Sequence, residues 1–121
     1  MSGLEYNPKL NVEHVQKIRD VLEVSGSYDQ SIHKHSCGTP ACVAGHTYCV
    51  AKGVAVIDES ISIEEIDNVA TEYLGLSIGQ SVELFWAVNN DDQEDPTNSD
   101  IVEVLDNLIE NYVVDWGVAG F

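Results

Sequence analysis

The chain has 121 residues, 44% of them apolar, which suits one domain with a modest core and excludes a wholly disordered or collagen-like chain. Twenty-one acidic residues face five basic ones, for a formal net charge of -16. Such a charge opposes direct binding to nucleic acid or to an anionic membrane, and favours basic partners or a very salty solvent.

From Leu10 to Val24, the residues Val12, Val15, Ile18, Val21 and Leu22 recur at helical spacing, with Asn11 or Asn7-Pro8 as the start signal. Ser25-Gly26-Ser27 should stop this helix, and a polar loop from Tyr28 to Gly38 follows, carrying His33 and His35. Thr39-Pro40 predicts the next start, because a Thr side chain caps free amides and Pro fits the first turn; this helix should reach Lys52 and end at Gly53. Gly53 to Ile61 reads as loop, with a short strand-like segment near 54-57 as the alternative. Ser62-Ile63-Glu64-Glu65 has the pattern of a capping box, and Ile63, Ile66, Ala70, Tyr73 and Leu74 form one stripe closed by Gly75. Ser77 to Gln80 repeats the box and opens a shorter helix, with Val82, Phe85 and Trp86 expected inward. Asn89 to Ser99 is polar apart from Pro96 and reads as exposed loop. Beyond it Ile101, Val104, Leu105, Leu108, Ile109, Tyr112, Val113 and Trp116 predict a helix over four turns. The expected fold is all-α: a compact bundle of about five helices forming a single domain, with the cysteine-containing helix near its centre.

The charge is unevenly placed. Residues 1–52 balance five acids against five bases, whereas from Gly53 to Phe121 there are sixteen acids and neither Lys nor Arg. Few internal ion pairs should form there, so the field is uncancelled and must cost stability at low salt. The acidic loop and the terminal helix concentrate it. Asp91, Asp92, Glu94, Asp95, Asp100, Glu103, Asp106 and Glu110 are therefore the candidate partner-binding residues, and a generally acid-rich surface adapted to salt is the alternative.

One segment, His33 to His46, is dense in reactive groups, and three readings of it compete. In the first, His35, Cys37, Cys42 and His46 bind zinc, although the short Cys-x2-4-Cys knuckle is missing. In the second, Cys42 is a nucleophile in the first turn of a helix, where the dipole favours thiolate, with His33 or His35 as base. In the third, Ala41, Cys42, Ala44, Gly45 and Cys49 are small residues that let the helix approach its neighbours closely. We adopt the third. Three cysteines cannot all pair within one chain, which suits reduced thiols in the cytoplasm. The first residues lack the basic and apolar parts of a secretory signal.

The run Cys37-Gly38-Thr39-Pro40-Ala41-Cys42-Val43-Ala44-Gly45, followed by Ala70-Thr71-Glu72-Tyr73-Leu74-Gly75-Leu76 and Leu84-Phe85, resembles a group of small bacterial and phage proteins with a C-G-T-x-x-C-x-A-G signature. The resemblance covers about Leu10 to Val88. It implies a helical fold and a phage or bacterial source, and no activity. Those proteins often carry an aromatic residue where this chain has His46, which speaks against His46 as an obligatory ligand. The run Asn90 to Asp95 does not match a calcium loop, which needs Gly at position 6 and Glu at 12. The expectation is thus a non-enzymatic acidic protein, phage-encoded, that occupies a basic surface of a host protein as a nucleic-acid mimic or inhibitor, without cofactor. A small zinc- or thiol-dependent protein centred on Cys37 to His46 is the alternative.

Overall fold

In the computed structural model, residues 5–24, 28–29, 38–86 and 96–120 are described. They form α1 (Val12–Val24), α2 (Val43–Lys52), α3 (Ile63–Leu74), α4 (Ile78–Phe85) and α5 (Asn98–Asn111), closed by a 3-10 turn at Trp116–Ala119. Among them there is no strand, so residues 54–57 are loop, with Val54 and Val56 exposed and Ile57 buried. The all-α bundle is what the patterning dictates.

Local rules account for most of the boundaries. Asn11 Oδ1 accepts from the His14 amide at 3.1 Å and starts α1, whose Val15, Ile18 and Leu22 are buried. Gly53 and Gly75 close α2 and α3 in the left-handed conformation, at φ 69° and 70°. Ser62 Oγ accepts from the Glu65 amide, one half of the expected box, while Ser77 and Gln80 make both halves. The two largest packing faces pair α1 with α5 and α2 with α3; α2 also touches α1 and α4, which puts it at the centre. Its residues Val43 to Cys49 are all buried, and Thr47 satisfies its hydroxyl on the Val43 carbonyl at 2.7 Å.

Four expectations are corrected. The α2 helix does not start at Thr39-Pro40: the Ala41 carbonyl accepts from the Asp29 amide at 2.8 Å, which holds this stretch extended, and Cys42 becomes the residue before the helix. On α3, Ile63 is exposed, because the buried face runs through Ile66, Ala70 and Leu74. On α4, Val82 and Trp86 point out, while Gln80, Leu84 and Phe85 point in. The last helix begins earlier and ends earlier than its stripe: Thr97 and Asp100 complete a capping box, and Tyr112 turns left-handed at φ 64°. Val113 and Trp116 therefore lie beyond it. Trp116 is buried in the closing turn and donates its indole N–H to the Glu83 carbonyl at 2.7 Å. The expected stop at 25–27 and most of the acidic loop lie outside the described residues.

Candidate functional site

The face of α5 that the interior does not need carries Glu103, Asp106 and Glu110, all exposed. Their spacing of three and four residues puts them in one row, with about 1.5 Å of rise per residue. Asp100 has another task. Its Oδ2 accepts from the Thr97 amide at 2.9 Å, so this carboxylate is committed to the helix start, where negative charge also suits the dipole. Asp91, Asp92, Glu94 and Asp95 lie outside the described residues.

The row is not free of cations, contrary to the sequence expectation. Packing of α1 against α5 brings Arg19 Nε to 2.9 Å from Asp106 Oδ1, across 87 positions of sequence. The same guanidinium bonds Asp20 at 3.2 Å and Glu23 one turn on. Hydrogen bonding to Asp106 is the main reason the guanidinium is held above its ordinary pKa. Asp106 is thereby engaged by Arg19, and the rest of the row is Glu103 and Glu110. Arg19 is the residue that sequence reasoning missed. Only its place on the helical wheel of α1, beside the Val15-Ile18-Leu22 stripe, hinted at a reach toward a packed neighbour.

The α3 helix carries a second set of acids. Glu64, Glu65 and Glu72 are exposed, and Asp58 and Glu59 precede it in an exposed loop. Glu64, Glu65 and Glu72 sit on a helix that contains no Lys or Arg.

For the cysteine and histidine readings, His33, His35 and Cys37 lie outside the described residues. Cys42 and His46 are 2% and 5% exposed, among the apolar packing of α2. Burial pushes the Cys42 thiol up to about 11, and the nearby Asp67 charge adds to this; the Ala44 and Gly45 amides favour thiolate but are outweighed. The helix start at Cys42 carries no side-chain cap hydrogen bond. Desolvation thus outweighs the helix start at this thiol, which keeps its proton at neutral pH. Among the described residues, no three His, Cys, Asp or Glu side chains are arranged to hold a metal ion.

A second polar feature is structural. Gln80, 1% exposed, donates from Nε2 to the carbonyls of Glu5 and Tyr112, both at 3.0 Å, and accepts at Oε1 from Asn7 Nδ2 at 2.9 Å. Asn7 Nδ2 also donates to the Gly75 carbonyl at 2.8 Å. This clasp fastens the segment before α1 to the α3–α4 corner and to the end of α5. In comparisons with known families, curated proteins and solved structures, nothing matches this chain.

Proposed function

We propose that this chain is a non-enzymatic interaction protein whose acidic surface occupies a basic surface of another protein, in the place where that protein would otherwise hold nucleic-acid phosphates. The observation that carries the reading is the run from Gly53 to Phe121, sixteen acids without a Lys or Arg, much of it on the exposed sides of α3 and α5. A field of this kind reaches about a Debye length, roughly 8 Å at physiological salt, and raises association rates with oppositely charged surfaces. The resemblance of the Cys37 to Gly45 signature implies a phage or bacterial source, and the reading takes the phage case, with a host protein as the partner.

The test replaces Glu103→Gln, Asp106→Asn and Glu110→Gln together. Partners retained from host lysate at low and high salt are identified, and the association rate of the strongest is measured for both proteins. The triple variant is expected to associate more slowly and with a flatter salt dependence while its helix content is unchanged. An unaltered rate and salt slope would remove the α5 row as the binding surface.

A further inference from the structure

The outer side of α4 carries an apolar row. Ile78, Val82 and Trp86 follow at four-residue spacing, so they line one side of the helix over about 12 Å. They are 84%, 52% and 43% exposed. The inner side meets the core through Gln80, Leu84 and Phe85. A single exposed apolar residue is ordinary, but two aligned on a helix of 8 residues, with Trp86 at its C-terminal cap, form an apolar row that is exposed among the described residues.

Carboxylates border this ridge. Trp86 donates its indole N–H to Asp67 Oδ2 at 3.2 Å, which fixes the ring and places one acid at its edge. Glu83 lies on α4 itself. At the other end the Glu5 carboxylate covers Gly79, where an added Cβ would stand 2.5 Å from Oε1. Neither α3 nor α4 contains a Lys or Arg.

We propose that this ridge docks a basic amphipathic helix of the partner protein, with its apolar side on Ile78, Val82 and Trp86 and its Lys or Arg residues over Asp67, Glu83 and Glu5. The proposal rests on the preceding reading in one respect, that the partner is basic, and adds the short-range fit that a charged field alone does not give. Charge complementarity selects this occupant. A second copy of the chain would bring a net -16 and the same acidic border to the same row, so like charges would meet at its edges. A Trp held in place by its own hydrogen bond is also the kind of anchor that carries binding energy at small interfaces.

The experiment uses a synthetic peptide of about 18 residues, with Leu at i, i+3, i+4 and i+7 and Lys on the flanks. Its controls are a scrambled peptide of the same composition and a peptide with Glu in place of Lys. The protein is tested as wild type, as Ile78→Ser with Val82→Ser, and as the α5 triple variant. The Lys-flanked helix is expected to bind wild type, to shift the Trp86 indole N–H resonance, and to bind the double variant about tenfold or more weakly. The scrambled and Glu-flanked peptides should bind much more weakly. Equal affinity for the double variant, equal affinity of the scrambled peptide, or an unmoved Trp86 resonance would overturn the ridge. The resonance, read on wild type, decides the matter even if the double variant fails to fold. A dimer in sedimentation that the double variant abolishes would give the row to a second copy and overturn it equally. If the α5 variant still slows association while the α4 variant changes nothing, the ridge falls and the acidic-face reading stands; the reverse pattern sinks the acidic α5 row alone.

Discussion

At Cys42 two physical effects oppose each other, and their sizes decide what the residue can do. A position beside the free amides of a helix start favours thiolate, yet removal from water is the larger effect, and the thiol is pushed up to about 11 from an ordinary 9.0. A thiol that keeps its proton longer in the folded than in the unfolded chain contributes stability that is complete below pH 9 and is lost as pH rises toward 11. At about 1.4 kcal/mol per unit, this amounts to roughly 2–3 kcal/mol at most. Cys42→Ala should therefore cost roughly 1 kcal/mol at pH 7, the worth of one buried methylene-sized group, and should lose less stability than wild type between pH 8.5 and about 11. Urea titrations of both proteins across that range measure it. Equal alkaline losses would show that the buried thiol is not their source, and stoichiometric zinc retained by wild type but lost from the variant would replace packing by coordination as its role.

At the scale of the element, helix starts and stops follow from near neighbours, and these are the features a sequence displays. Ser77 and Gln80 make their box across three positions, and Gly75 is needed both for its positive φ and because a Cβ there would stand 2.8 Å from the Asn11 amide nitrogen. The clasp at Gln80 is different in kind. Its partners lie 75 and 32 positions away, so nothing local marks this capping residue as buried. Gln80→Leu keeps the volume but strips hydrogen bonds from the Glu5 carbonyl and the Asn7 amide, and should cost about 1–3 kcal/mol. Amide exchange at Asn7, whose N–H bonds the Tyr112 carbonyl at 3.1 Å, should quicken beyond the global loss if the clasp holds this segment down. Exchange that rises only with global unfolding would show the strap to be held by other contacts. The same distance effect hid the end of α5. The apolar spacing continues through Tyr112 to Trp116, but Tyr112 turns left-handed at a point where its carbonyl meets Asn7 and Gln80. It also hid the outward turn of Val82 and Trp86, since the periodicity of an 8-residue helix fits more than one buried face. On the α5 site, the exposure of Glu103 and Glu110 was legible from the stripe opposite them, whereas the capture of Asp106 depended on which helix packs beside it.

For the whole molecule, the net -16 is a property of composition, but its distribution after folding is one of packing. Arg19 lies in the balanced part of the chain and is carried by α1 against α5, where it meets Asp20, Glu23 and Asp106 together. One cation thus offsets repulsion that the acidic part has no bases of its own to relieve. Added salt should raise the melting temperature, most steeply at low ionic strength, because the Debye length falls from about 30 Å at 0.01 M to 10 Å at 0.1 M. Arg19→Gln should lower the melting temperature at low salt and steepen that rise, with the two proteins converging as screening replaces the lost cation. Calorimetry from about 10 mM to 1 M NaCl measures both curves. Parallel curves would mean that Arg19 acts through its alkyl stem and not through its charge. The range over which wild type gains stability separates two accounts of the acidity. Screening of repulsion is largely complete by a few tenths molar, where the Debye length is already shorter than the spacing of many surface charges. A fold that continues to need molar salt would be one whose acids are adapted to a saline solvent. A fold already stable at physiological salt keeps its acids against a modest cost, and so leaves them available to a basic partner.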